Sequence, residues 1–382
     1  MGTSTRAARH GGGAWRSEPC HAAYSRRDGQ PASGEEQSAA AEAAAPSVPL
    51  AMDRAASHDA AVNLAIVRML QNNMTMAFRG RIADLVAKTI NETIGHPVLP
   101  EDPRADAAAR HLHDEGYAPL GAVLSAAQVT DIVSYLSTRP CFNAHVPGAS
   151  DGIARRLGEG AEDHHYGSYD LADVVSAPHL LELANHPTLI GIAARYLGCV
   201  PTLYSLNAWW SFAGHGKAPV SQEFHRDLDG FRFCTLFVFL TEVGPTTGAH
   251  VFIRRSHRVD LTEAILRREA PRLAAELGQA PTLDELYGRS AGYGRDALYE
   301  ALFRGCVDTI TGPAGTALLA DTGGLHKGVP LSEGRRLMFW ARYGLYRNTG
   351  ASSPVSAALA AGRLPADPVA TYINRCIVAE PA

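Results

Sequence analysis

Alternation of apolar and polar positions is clearest in the second half of the chain. TLFVFLTEV, residues 235–243, is a β-branched and aromatic run too short for a typical helix, and Gly244 and Pro245 close it. TALLAD (316–321) and RRLMFWARYG (335–344) have the same character, and alternation in the latter puts Arg336, Met338 and Trp340 on one face. LYSLNAWWSF (203–212) is a fourth strand-like segment. Helical spacing appears earlier: Val62, Ile66, Met69 and Leu70, then Ile82, Leu85, Val86 and Ile90, predict two amphipathic helices interrupted around residues 72–75. Their plainer role is to buttress a sheet; the sharper one is a homodimer contact. Between 260 and 304 lie further helical stretches, with Asp260 and Glu263 at capping spacing, Thr282 and Glu285 at capping-box spacing, and Pro271 and Pro281 as breaks.

These patterns divide the chain into a disordered tail over 1–52, a helical N-terminal extension over 53–108, a mostly β domain with flanking helices over 109–350 that carries the insert 260–304, and a C-terminal tail over 351–382. The first fifty residues are rich in Ala, Gly, Ser and Arg, with Trp15 and Tyr24 their only aromatics, too little apolar surface to offset the entropy of ordering. Arg6, Arg9, Arg16, Arg26 and Arg27 have a transit-peptide flavour that Glu18, Asp28, Glu35 and Glu36 dilute, and Met52 offers a second start.

Composition narrows the function classes. At 46% hydrophobic and 19% charged the chain can fill a core, and a formal net charge of −4 supplies no electrostatic reason to bind nucleic acid or an anionic membrane. Apolar runs such as CTLFVFL fall far short of the roughly 20 residues that span a bilayer. The six cysteines are scattered without a C-x-x-C, which fits a soluble protein in a reducing cytoplasm.

The candidate chemistry lies in FHRDLDGFRF. If this segment is extended, His225 and Asp227 project to one side and Arg226 to the other. His326, in DTGGLHKG after the strand 316–321, brings a second imidazole from elsewhere in the fold. Two imidazoles and one carboxylate, with positions left open, suit non-haem Fe(II) used for oxygen chemistry. A lone His-x-Asp arises easily by accident among sixteen histidines, and a strand His is more often a structural residue than a ligand. Flanking strands and the second His give this one its weight.

These residues resemble the phytanoyl-CoA dioxygenase family of Fe(II)- and 2-oxoglutarate-dependent oxygenases. Residues 112–136 look like its opening strand and helix, 181–203 are similar to the helix before its first core strand, and GAHVFIRRSHR looks like its glycine-to-Ser-His segment; the likeness covers residues 112–346. It implies a double-stranded β-helix, a cupin-like jelly-roll barrel, with His225, Asp227 and His326 as metal ligands. Arg336, ten residues after the second His, would anchor 2-oxoglutarate, with Arg335 as the alternative. A guanidinium suits that role because its planar fork binds a carboxylate through two charge-assisted bonds. Asn207 and Thr235 are candidate further contacts to the cosubstrate. Gly328 stands where the family often has Ser or Thr. Because Asp227 keeps the acid, the implied reaction is hydroxylation or a related oxidation of a small organic substrate by O2, with release of succinate and carbon dioxide; three metal positions remain for the oxoacid and O2.

Other candidates carry less. GRSAG at 288–292 fits G-x-S-x-G, but TLDELY before it is helical rather than a strand, and Gly292, Gly294 and Ala297 mimic a dinucleotide fingerprint without a preceding strand. His164 and His165 read as loop residues near the mouth of the site, and His250 and His257 as part of a turn. Tyr166 and Trp209 or Trp210 are expected to shape substrate selectivity, and the insert 260–304 either lids the barrel or packs beside it. The alternative from another class is a non-catalytic metal- or ligand-binding barrel.

Overall fold

A computed structural model describes residues 76–143, 153–215, 220–287, 295–347, 353–365 and 367–379. The expected tail, the first of the two early helices and the G-x-S-x-G segment lie outside them.

Among the described residues nine strands form two antiparallel sheets. They are β1 (Tyr117–Ala122), β2 (Tyr166–Ser168), β3 (Thr202–Phe212), β4 (Phe233–Phe239), β5 (His250–Ile253), β6 (Val307–Ile310), β7 (Thr316–Ala320), β8 (His326–Gly328) and β9 (Arg335–Gly344). The larger sheet runs β1-β7-β4-β9-β3-β2 and the smaller β6-β5-β8, which His225 extends through a bridge to His326. From β3 onward the chain passes repeatedly between the two: β3, the His225 segment, β4, β5 and β6, β7, β8, β9. That is the winding of a jelly roll, a double-stranded β-helix flanked by helices.

Strand parity sorts the side chains into layers. Phe237, Phe239, Phe252, Leu318, Met338 and Trp340 meet between the sheets, while alternate residues such as Leu236, Leu319, Leu337, Phe339 and Tyr343 face outward and join the helices in the main core. Helix Pro103–Glu115 starts on Asp102, whose carboxylate accepts from the Arg104 and Ala105 amides, and ends at Gly116 with φ +91. A side chain at Gly116 would also collide with Phe252. The helix expected over 181–203 is two helices, Leu180–Ala184 and Pro187–Leu197, because Pro187 has no amide hydrogen to continue the first and is well suited to begin the second.

In helix Met76–Thr93 the buried stripe is Arg79, Ala83, Ala87 and Ile90, and Leu85, expected on the apolar face, points outward. The segment after 350, expected as a tail, carries helix Pro368–Asn374, with Ile373 and the following Ile377 in the main core. In the insert, helix Val259–Leu277 runs through Pro271 rather than breaking there, and Asp260 sits in its first turn, not at its cap. Thr282 and Glu285 close a reciprocal capping pair, 2.7 Å from the Thr282 amide to Glu285 Oε2 and 3.2 Å from the Glu285 amide to Thr282 Oγ1. Leu273, Leu286, Leu298, Tyr299 and Phe303 of the insert pack on Phe224, Val251, Ile253 and Leu325, the outer face of the smaller sheet. Among the described residues the insert therefore backs that sheet. No helix among the described residues is long and apolar enough to cross a membrane.

Candidate metal centre

Two backbone devices place the two histidines. His225 and His326 exchange amide-to-carbonyl bonds of 3.0 Å in an isolated bridge, and the Asp227 amide donates to Thr322 O at 2.8 Å. The His-x-Asp segment, expected on a strand, is extended only at this bridge, because residues past Asp227 turn away through Asp229 and Gly230 toward β4. The turn 321–324 then delivers His326: the Gly323 amide bonds Asp321 Oδ1 at 2.9 Å, Tyr196 Oη donates to Asp321 Oδ2 at 2.5 Å, and the Leu325 amide bonds Ser256 Oγ at 2.7 Å.

The result gathers His225, Asp227 and His326 so that one ligand atom of each lies within 4.8 Å of the others. His225 Nε2 is 3.9 Å from Asp227 Oδ1, and His326 Nε2 is 3.9 Å from Asp227 Oδ2. Each imidazole has Nδ1 against a backbone carbonyl, His225 on Glu223 O at 2.9 Å and His326 on Gly324 O at 3.0 Å. A carbonyl only accepts, so Nδ1 carries the proton and Nε2 presents its lone pair to the cluster. Burial, then the neighbouring His225, lowers the His326 pKa to about 4, which keeps it neutral and able to ligate near pH 7. The donor set and its orientation fit a divalent cation.

Outward-facing neighbours of both histidines are tied to the insert. Arg226 is buried, bonds Leu286 O, Ser256 O and Gly323 O, and lies 4.3 Å over the Tyr287 ring. Asp296 accepts from the Phe224 amide at 2.9 Å and from Lys327 Nζ at 2.7 Å, thereby joining the residue before His225 to the residue after His326.

On β9, Arg336 faces the interior opposite Ser211 of β3. It is 5% exposed and donates to Gly248 O and to Ser211 Oγ, the latter at 3.1 Å; its Nε has no partner. Among the described residues no carboxylate pairs with it. Burial pulls its pKa down to about 10, which still leaves it charged at neutral pH. Arg335 instead is half-exposed, 3.6 Å from Glu162 and stacked over Trp210. Asn207 lies opposite Trp340 on the inner face; Asn207 Oδ1 and Trp340 Nε1 are both buried without partners. Thr235 is fully buried, opposite Arg342, with Oγ1 3.3 Å from Thr322 Oγ1. Of the two tryptophans, Trp209 faces inward, its ring 6.1 Å from Tyr166 and 5.7 Å from Trp340, whereas Trp210 points into the helix-facing core and donates to Tyr169 Oη at 2.7 Å. His165 packs on His215 at 5.0 Å just before β2.

Two residues at the centre, Arg342 and Asp229, were not singled out from sequence, and a third, His250, was misplaced. Arg342 bonds Asp227 Oδ2 at 3.0 Å and also pairs with Asp229, which in turn accepts from Tyr204 Oη at 3.2 Å. The alternation of 336, 338 and 340, continued one step, reaches Arg342, and the acid two residues past Asp227 is Asp229; those were the available signals. His250, expected in a turn, is instead buried on β5 because its segment pairs with β6 and β8. Its ring stacks on His326 at 5.7 Å, its Nε2 has no partner, and burial, then His326, holds its pKa well below the usual histidine value. His257 does lie in a turn, bonding His113 O at 2.9 Å. Two open clefts among the described residues, about 830 Å³ beside Tyr117 and Asp308 and about 440 Å³ beside Asn91 and Arg232, lie away from this centre.

No model of a known protein family matches the chain, and no curated protein matches it. Solved structures do. SnoN, a non-heme alpha-ketoglutarate-dependent epimerase from nogalamycin biosynthesis, is 21% identical over 70% of this chain and 93% of that chain, with a TM-score of 0.41. SnoK, an alpha-ketoglutarate-dependent carbocyclase of the same biosynthesis, is 16% identical over 64% of this chain and 87% of that chain, TM-score 0.38. EctD from S. alaskensis, solved with 2-oxoglutarate and 5-hydroxyectoine, is 19% identical over 65% of this chain and 77% of that chain, TM-score 0.41. At these values the comparisons assign this chain no family and no substrate.

Proposed function

We propose that the chain is an Fe(II)- and 2-oxoglutarate-dependent oxygenase of the phytanoyl-CoA dioxygenase kind, oxidising a small organic substrate. The observation that carries this is the pairing of a two-His, one-carboxylate cluster with a buried guanidinium, Arg336, that has no acid partner among the described residues. A charge held in low dielectric without a counter-ion costs several kcal/mol, and an anionic ligand removes that cost. Around the same interior face Asn207 Oδ1, Trp340 Nε1 and His250 Nε2 also lack partners. Buried polar atoms ordinarily have partners, and a dicarboxylate bound between metal and guanidinium would accept from Trp340 Nε1 and, in its Nε2–H tautomer, from His250. Formal charges then cancel: a divalent metal with Arg336 and Arg342 against Asp227, Asp229 and the two carboxylates of the oxoacid.

In this reading His225 and His326 donate Nε2 lone pairs and Asp227 one carboxylate oxygen to iron, and Arg336 grips the distal carboxylate of the cosubstrate. Bound there, Fe(II) supplies the means to split O2, one oxygen atom going to succinate as 2-oxoglutarate loses carbon dioxide and the other to oxidation of the substrate. The surrounding residues exclude water: Trp209, Phe237, Met338 and Trp340 line the interior, and Tyr166 with Trp209 sets the shape of the substrate space. The five described cysteines are all unpaired, which supports a reducing, cytoplasmic setting.

The test is anaerobic titration with Fe(II) and 2-oxoglutarate, watching for the weak visible charge-transfer band of a chelated oxoacid, followed by measurement of succinate and carbon dioxide on admission of air. Wild type is expected to give the band and turnover, and Asp227→Ala to lose both. Folded, iron-loaded protein with no band overturns the oxygenase. A band without any succinate would favour the non-catalytic binding barrel.

A further inference from the structure

Resting on the metal reading of the triad, we infer that Arg342 is a positioning residue that makes Asp227 a one-oxygen ligand. Either carboxylate oxygen of Asp227 is placed for a metal, since Oδ1 lies 3.9 Å from His225 Nε2 and Oδ2 3.9 Å from His326 Nε2. Left to itself, a carboxylate so placed can take a metal through both oxygens and fill a position that the oxoacid or O2 needs. Arg342 prevents this by engaging Oδ2 at 3.0 Å in a charge-assisted bond, so that Oδ1 is the oxygen left for the cation.

The guanidinium is itself fixed on three sides. Its other terminal nitrogen pairs with Asp229, Tyr204 Oη holds that acid from β3, and the planar group lies 4.6 Å over the Trp340 ring. Arg342 is 7% exposed and is paired on both sides near the end of β9, opposite Ser205 of β3, where the register shifts, and Thr235 of β4. Ligand-orienting residues of this kind typically alter metal affinity 10- to 100-fold when removed.

Co(II), whose absorption intensity and band positions report coordination number, is the probe. Wild type is expected to bind one Co(II) with the weak spectrum of a six-coordinate ion. Arg342→Met should bind about 10-fold or more weakly with an altered spectrum, and Arg342→Gln stands in if the Met variant does not fold. Asp229→Asn, which loosens one support of the guanidinium but leaves its bond to Asp227, should fall between wild type and Arg342→Met in affinity. A folded Arg342 variant with wild-type dissociation constant and spectrum overturns the role. Wild-type protein that binds no Co(II) removes the metal reading itself, and this role with it.

Discussion

Arg336 shows how one buried residue can favour its ligand over its own fold. Its guanidinium is dehydrated and, among the described residues, offset only by Gly248 O and Ser211 Oγ. Arg336→Met is therefore expected to leave the melting temperature of the ligand-free protein unchanged or higher, while 2-oxoglutarate affinity falls about 100-fold or more, the worth of two bonds to a charged group. Thermal shift with and without cosubstrate checks both halves: wild type should gain about 2.7 kcal/mol at a hundred times its dissociation constant, the variant nothing at that concentration. An equal gain in both would exclude Arg336 as the anchor. Gly248 belongs to the same device, with φ +89 and room for no Cβ, since one would lie 2.7 Å from Leu331 Cδ1 and 3.0 Å from an Arg336 terminal nitrogen. Gly248→Ala should cost about 1–3 kcal/mol through strain at that φ, and weaken cosubstrate binding as well, measurable by denaturation and titration of one preparation. Strand parity made Arg336 legible in the sequence, but nothing local distinguishes a clamp such as Arg342 from any other inward arginine. Its meaning comes from Asp227 and Asp229, acids that reach it only because a loop more than a hundred residues away folds over β9.

At the scale of elements, the insert between β5 and β6 acts on the centre from behind. Its helices pack on the outer face of the smaller sheet, and Asp296, in the first turn of helix Asp296–Leu302, ties Phe224 to Lys327. Asp296→Ala is expected to destabilise the fold by about 1–2 kcal/mol through the unpaired Phe224 amide and the weakened ion pair, and to lower metal affinity by about tenfold through looser registration of His225 against His326. Isothermal titration with Co(II) alongside urea denaturation separates the two; lost stability with unchanged metal affinity would make the insert mere packing. The strands themselves were legible: β9 has the predicted bounds, and β3, β4 and β7 begin or end within a few residues of theirs. Short elements were not. The His225 segment holds a single bridge, too brief for alternation to register, and β5 hides His250 in a sequence that looks like a turn until β6 and β8 pair with it. Pro271 misled for a related reason, because a packed helix can absorb one missing bond that an isolated helix would not.

Over the whole molecule, the buried histidines make stability depend on pH in a definite direction. Burial lowers the pKa of His326 to about 4 and holds His250 and His257 below the usual value of 6.5. Above 6.5 these groups are neutral in folded and unfolded chains alike and contribute no pH dependence. As pH falls below 6.5 the unfolded chain takes up protons that the folded chain refuses, so stability is lost progressively until the folded pKa is reached. For His326 alone, a displacement from 6.5 to about 4 corresponds to roughly 3 kcal/mol at the acid end, and the other two add with the same sign. Carboxylates held low, such as Glu115 beside Arg255 and Asp102 at its helix cap, begin to contribute only near and below their ordinary values of 4.5 and 3.8. The interval from pH 6.5 to 4.5 lies above the ordinary values of both those carboxylates, so the buried histidines dominate it. Urea denaturation of metal-free protein across that interval is expected to show a falling midpoint. His250→Leu should flatten the slope, because the ring that resists protonation beside His326 and Arg336 is gone. A midpoint constant between pH 7 and 5 would mean that these imidazoles take up protons alike in the folded and unfolded chains, and the dry centre on which metal and cosubstrate binding are built would have to be abandoned.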